Sequence, residues 1–187
     1  LDKYGYRDAE SHLNEWNYFV ADFNTIWDKG NERARKAAFD LQKGPEGASF
    51  AALTLAQLQD LPVDQANYYD GQPTALFCGL FDYHGVPQKT YYAFEAFDRL
   101  LRYPARIACD VSAEAPGLAC LAAGGGSGDG GDGTDGRFAA LIVNFGDEAR
   151  EAEIVAEGAA PSVKEAEFRV LAVDRERDLE TAAAGRL

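Results

Sequence analysis

The sequence contains no methionine, only three cysteines and only two histidines among its 187 residues, and each scarcity removes a class of chemistry. Three cysteines are too few, and odd in number, for a disulfide framework, and no cysteine sits in a metal-type spacing. No metal or other cofactor is therefore expected. Nowhere does the chain approach the roughly 20 consecutive apolar residues that a membrane-spanning helix needs, and a membrane partner is not expected either. Basic residues are outnumbered 31 to 18, and the formal charge of -13 repels phosphate backbones and anionic lipid surfaces. Nucleic acid is excluded as a partner on that ground.

What is present suits a globular fold, because a chain that is 47% hydrophobic and 12% aromatic can bury a substantial core. The opening Leu1-Asp2-Lys3-Tyr4-Gly5-Tyr6 reads as the end of a helix capped by Gly5, so a cropped chain is expected. Residues 9–20 carry a short apolar and aromatic run, read as a buried strand ending at Asn14 or Glu15. A charged stretch follows to Gly47, in which residues 31–38 have the composition of a short exposed helix inside a long loop. From Ala48 to Leu61, apolar residues recur on a broad stripe with no Gly or Pro until Pro62, the pattern of a buried amphipathic helix. Residues 63–70 hold room for a short strand closed by Gly71 and Pro73, and residues 75–81 suggest another that turns at His84-Gly85-Val86-Pro87. Lys89 to Leu101 places Tyr91, Phe94, Phe97, Leu100 and Leu101 at helical spacing, ending before Pro104. Strand and helix alternate as in a parallel α/β sheet or barrel.

Beyond Pro104 the pattern changes. Residues 105–111, 118–122, 138–145, 151–155 and 165–173 all read as strands, and several alternate apolar with polar side chains. A small antiparallel β-sandwich is expected here, with a boundary near residues 102–105. Residues 124–136 form a Gly/Asp-rich tract without an apolar side chain, read as a mobile hairpin connection; a calcium loop fits less well, since there is one copy and the spacing is wrong. Residues 178–187 read as a frayed end. A hairpin centred between Glu114 and Ala115 would set Cys109 opposite Cys120, but free, buried thiols are the favoured expectation.

Glu15 is the residue to which chemistry is assigned. It follows a strand-like run, where barrel strands present catalytic groups at their C-terminal ends, and Asn14 and Asn17 flank it with amides able to donate hydrogen bonds. Trp16 is placed to stack on a sugar ring. Locally these features are also those of an ordinary surface Glu beside a half-buried Trp. His12 and His84 are expected to be structural, hydrogen-bonded histidines, Glu10 to lie at the start of the strand, and Tyr68, Tyr83, Tyr91 and Tyr92 to be mainly core aromatics.

The run His12-Leu13-Asn14-Glu15-Trp16-Asn17 resembles the Glu-Trp-Asn or Glu-Phe-Asn segment that ends the seventh barrel strand of clan A glycoside hydrolases. The resemblance is to family 39, the β-xylosidase and α-L-iduronidase group, and a similar run occurs in family 51 arabinofuranosidases. Tyr69-Asp70 stands where that family's eighth strand ends in an aromatic residue and an Asp. Phe77-Cys78-Gly79-Leu80-Phe81 and Gly85-Val86-Pro87-Gln88-Lys89 match the Gly-Leu hairpin and the Gly-x-Pro-x-Lys opening of the last barrel helix.

The resemblance implies that residues 1–103 are the last two strand-helix units of a (β/α)₈ barrel and that residues 104–187 are a β-sandwich. It implies a retaining glycosidase, a carbohydrate substrate, Glu15 as nucleophile, and a sugar site near Asn14, Trp16, Asn17, Tyr69 and Asp70. The acid/base Glu of the family belongs to the fourth strand, which residues 1–14 do not contain. The chain is therefore expected to be incomplete alone, its exposed sheet edge covered by a preceding barrel segment or by another chain. The competing expectation is a non-catalytic carbohydrate-binding or structural sandwich with a degenerate barrel remnant.

Overall fold

The computed structural model describes residues 2–6, 8–22, 24–74, 79–111, 116–125, 137–155 and 166–186. After a 3-10 turn at Asp2–Tyr4, closed by Gly5 at φ +84°, the first strand is β1 (His12–Trp16). Two helices follow, α1 (Glu32–Lys43) and α2 (Pro45–Leu58), then β2 (Gln65–Tyr68) and α3 (Lys89–Leu100). The remaining strands are β3 (Ala105–Ile107), β4 (Leu118–Gly124), β5 (Phe138–Asn144), β6 (Glu167–Val173) and β7 (Asp178–Arg186).

The helices begin and end for local reasons. The helix expected over residues 31–38 runs on to Lys43, because Ala37 to Gln42 contains no breaker. Gly44 then takes an extended conformation (φ -83°, ψ -168°) and Pro45 opens α2 at its first position, where its missing N–H costs nothing. The first turn of α2 passes so close to the end of α1 that a Cβ on Gly47 would lie 1.8 Å from the Gln42 carbonyl oxygen. No other residue fits there without moving backbone. The buried positions of α2 are small, Gly47, Ala48, Ala51, Ala52 and Ala56, and this lets α3 approach with Ala93 and Thr90. Leu61 and Leu101, expected on the apolar stripes, lie past the helix ends and are 54% and 67% exposed.

β1 and β2 pair in parallel, His12 with Gln65, Leu13 with Ala66 and Trp16 with Tyr68. β3, β4 and β5 form an antiparallel sheet, and β6 and β7 a separate antiparallel pair. The layer over the inner face of the three-stranded sheet is helical. Val143 joins Ala48, Ala51, Ala52 and Ala93 in one buried cluster, and Leu121 and Ala123 join Ala56 and Leu100 in another. The chain on either side of residues 102–105 thus shares one core. Arg106 adds a bidentate ion pair to Asp60, at 2.6 and 2.9 Å, between β3 and the turn after α2.

Three expectations are corrected. Residues 178–186 are not frayed: they form β7, paired with β6 from Glu167↔Arg186 to Val173↔Asp178. An Ala-rich strand carries little propensity of its own, so ladder bonds and the turn at Asp174 hold it. In that turn Asp174 Oδ1 accepts from the Glu176 and Arg177 amides at 2.9 and 2.8 Å. Residues 151–155 are irregular and exposed rather than a strand; they have no ladder partner among the described residues. Cys109 and Cys120 are half-buried and disulfide-bonded rather than free. The pairing Ala105↔Gly124, Arg106↔Ala123, Ile107↔Ala122, carried two residues further, sets the two cysteines opposite one another, the register of a hairpin centred between Glu114 and Ala115. That hairpin centre, residues 75–78 of the expected strand at 75–81, and residues 126–136 of the Gly/Asp-rich tract lie outside the described residues.

Two measurements check these ties. Reducing the disulfide, which closes a segment with sequence separation 11, is expected to lower the unfolding free energy by about 2–3 kcal/mol. Urea denaturation with and without dithiothreitol reads this, and Cys109→Ala/Cys120→Ala should behave as the reduced protein. In the β6–β7 turn, the Arg177 guanidinium, followed by the Glu176 amide, holds the Asp174 carboxyl below the usual aspartate range. A carboxyl lowered in the folded state stabilises fully above its unfolded value, near 3.9, and loses that contribution as pH falls through the lower folded value. Asp174→Asn should therefore flatten the acid limb of the stability profile below about pH 4 and leave the slope near neutrality unchanged.

Candidate active site

The residues assigned to the site meet at the C-terminal ends of β1 and β2. Between Leu13↔Ala66 and Trp16↔Tyr68 the register shifts: three steps along β1 face two along β2, so β1 carries one extra residue in the stretch Asn14-Glu15. A bulge of this kind bends the strand and re-aims a side chain. Asn14 and Glu15 are both exposed, and the Glu15 carboxylate engages no described residue.

Asn17 ties the two strand ends together. Its Nδ2 donates to the Tyr69 carbonyl, and its Oδ1 accepts from the Tyr68 hydroxyl at 3.0 Å and from the Tyr18 amide at 2.6 Å. The Tyr69 amide in turn donates to the Trp16 carbonyl at 3.0 Å. With three contacts made inside the protein, Asn17 acts as a brace and keeps one N–H to offer elsewhere. Trp16 stands against Tyr68 edge-on at 5.0 Å and against Phe94 of α3 at 6.0 Å, and Tyr68 meets Phe94 at 5.1 Å. The packing shown for Trp16 is therefore on the helix side, and its Nε1 is buried with no partner among the described residues.

Tyr69 is 42% exposed and joined to Asp70 by a cis peptide bond. Asp70 starts the turn that leaves β2: its Oδ1 accepts from the Gln72 amide at 3.0 Å and its carbonyl from Leu80 at 3.1 Å. Glu10 is held by His12 at 2.7 Å at the opposite end of β1, so it is not the second carboxylate that a retaining glycosidase places about 5 Å from the first. His84 lies in the turn after Asp82, whose Oδ1 accepts from the His84 and Val86 amides at 2.8 and 2.9 Å. The Val86 hydrogen bond is the main reason the Asp82 carboxyl is held low.

Past Tyr18 the loop after β1 covers a small cavity of about 20 Å³ against Ile26, Ala38, Phe39 and Gln42, space for roughly one water. It lies under the loop and is too small for a sugar ring. Tyr18 itself is half-buried, stacked on Phe50 at 5.0 Å and edge-on to Phe145 at 5.6 Å; partial burial, reinforced by Glu46 and Asp147, pushes its hydroxyl above its ordinary value. Among the described residues no group of three or more His, Cys, Asp or Glu side chains could hold a metal ion, and no helix is long and apolar enough to cross a membrane. No protein-family model, curated protein or solved structure matches this chain.

The brace and the extra residue in β1 are what the sequence reading missed. Only the pairing of strands about 50 residues apart shows that Asn17 also engages Tyr68 and Tyr69. Asn17→Ala removes the hydrogen bonds to the Tyr69 carbonyl, the Tyr68 hydroxyl and the Tyr18 amide and should cost about 1–3 kcal/mol, measured by urea denaturation. Tyr68→Phe should cost less, because it keeps the ring packing against Trp16 and Phe94 and the Asn17 hydrogen bond to the Tyr69 carbonyl.

Proposed function

We propose that this chain is the C-terminal portion of a retaining glycoside hydrolase of clan A, with Glu15 as the nucleophile. One observation carries the reading: a solvent-facing carboxylate, in a stretch that carries one extra residue near the C-terminal end of a parallel strand, beside the end of a second parallel strand that leads into Tyr69 and Asp70. Barrel enzymes gather their catalytic groups at that end of their strands. The chemistry assigned to Glu15 is attack on the anomeric carbon, forming a glycosyl ester as the glycosidic C–O bond breaks. A second carboxyl group protonates the departing oxygen, then takes a proton from the water that hydrolyses the ester. That acid/base comes from outside these residues.

The open edge of β1 supports the same reading. Parallel strands are normally covered on both faces, yet His12, Leu13, Asn14 and Glu15 are all exposed, Leu13 by 38%, and β2 is the only described strand beside them. We infer that further parallel strands, from a barrel segment of the same protein or from another chain, lie against β1. The β-strands after residue 104 are read as the accompanying β-sandwich.

In the full-length protein, Glu15→Gln should reduce glycoside turnover by at least 1000-fold, roughly a 4 kcal/mol loss of transition-state stabilisation, with little change in thermal midpoint. A mechanism-based 2-fluoroglycoside should label Glu15, located by peptide mass spectrometry. Full activity in the variant, or a label on another carboxylate, sinks the assignment and leaves the carbohydrate-binding or structural module as the better account.

A further inference from the structure

β3 contributes little to the core beside it. Residues 104–111 are all exposed except Cys109, which is half-buried, and neither buried cluster includes a residue of this stretch. Its ladder to β4 is three pairs long, from Ala105↔Gly124 to Ile107↔Ala122. On its other side β4 is held by seven pairs to β5, from Leu118↔Asn144 to Gly124↔Phe138. The helices and the β4–β5 pair therefore keep their own contacts whether or not β3 is in place.

β3 nevertheless covers something. Ile107 lies so close over Gly124 that a Cβ there would collide with the Ile107 Cδ1, and Ala122 and Gly124 are buried while Ile107 itself is 41% exposed. The strand beneath, Leu118-Ala119-Cys120-Leu121-Ala122-Ala123-Gly124, has no charge and no proline, the kind of edge that folded proteins keep covered. Three ties hold the cover besides its short ladder. At the start, Tyr103 is half-buried and packs against the cluster of Ala56, Leu100, Leu121 and Ala123. In the middle, Arg106 pairs with Asp60, but the two side chains are 50% and 66% exposed, and exposed ion pairs hold weakly. At the end, past the last ladder pair, Cys109 is bonded to Cys120 of β4. Only this last tie is covalent.

We propose that residues 104–111 are a redox-sensitive strap, latched over the edge of β4 by the Cys109–Cys120 disulfide and released when that bond is reduced while the core stays folded. Both cysteines are half-buried rather than sealed, so a small dithiol can reach them. Exchange breaks the S–S bond, leaves a thiol on each cysteine and forms an S–S bond within the reductant, two electrons and two protons passing to the protein. The freed stretch then sets a three-pair ladder and an exposed ion pair against the conformational entropy of an unburied segment, and it opens locally, without the rest of the fold. What opening uncovers is the amide and carbonyl row of β4.

Hydrogen exchange in the full-length protein, with and without dithiothreitol, separates release of the strap from general loosening. Reduction should speed exchange of the amides that bond β3 to residues 122–124 at least tenfold more than that of the α2 amides at Ala51 and Ala52, and reoxidation with glutathione disulfide should restore the first rates. An equal rise in both places, no rise at the strap, or a rise that reoxidation does not reverse overturns the proposal. Without any reductant, Cys109→Ala/Cys120→Ala should be cut by trypsin after Arg106 at least tenfold faster than the parent, with its helical circular dichroism retained. Resistance equal to the parent's refutes the latch, and loss of the helical signal refutes it too, since the disulfide would then be a requirement of the core.

Discussion

The fold depends on a helix with almost no side chains on its buried face. α2 presents Ala48, Ala51, Ala52 and Ala56 to its surroundings, and Ala51 is wholly buried. Alanine contributes less apolar area than leucine, but it lets backbones come close, so that α3 on one side and β4–β5 on the other fill the space with Ala93, Leu100, Leu121 and Val143. Interiors at this density tolerate added methylenes poorly. The same closeness accounts for Gly47, which sits against the Gln42 carbonyl, and for the buried hydrogen bond from the Thr90 hydroxyl to that carbonyl at 3.1 Å. Helices and antiparallel sheet are thereby one packing unit, although the sequence changes character at Pro104.

From this unit the candidate site is held at one remove. Phe94 of α3 carries Trp16 and Tyr68, Tyr68 carries Asn17, and Asn17 joins the ends of β1 and β2. Lys89, in the first turn of α3, reaches the other way, to the Arg177 carbonyl at 3.0 Å and to Asp178. α3 is accordingly the element through which the β6–β7 pair and the strand ends bearing Glu15 are positioned relative to the core.

Much of this was legible in the residues. Apolar spacing located α2 and α3 to within a few positions, short apolar runs located β4 and β5, alternation located β6, and the turn at His84-Gly85 is present, with Gly85 at φ +79°. What escaped the sequence shares one cause: it depends on partners distant along the chain. β7 is a run of Glu, Thr, Ala and Gly that becomes a strand only beside β6, and residues 151–155, which alternate well enough, lack a described neighbour. Cys109 and Cys120 were recognised as facing one another, yet nothing local decides whether facing thiols bond. At the site, Glu15 could be singled out by its neighbours, but the extra residue in its stretch of β1 follows from the register with β2, and the engagement of Asn17 follows from Tyr68 and Tyr69.

The irregular register of β1 has a bearing on how this surface behaves toward other molecules. An uncovered strand edge offers amides and carbonyls in rows and invites stray chains to add to the sheet. On β1 the regular pairing stops at Leu13, and the next residues are Asn14 and a negatively charged Glu15. A strand that adds here must follow the same irregularity and meet the charge at Glu15, which a stray regular strand does not do. The irregular stretch beside Glu15 therefore also guards the edge against stray self-association, and a substitution that straightened the strand should make the protein stickier.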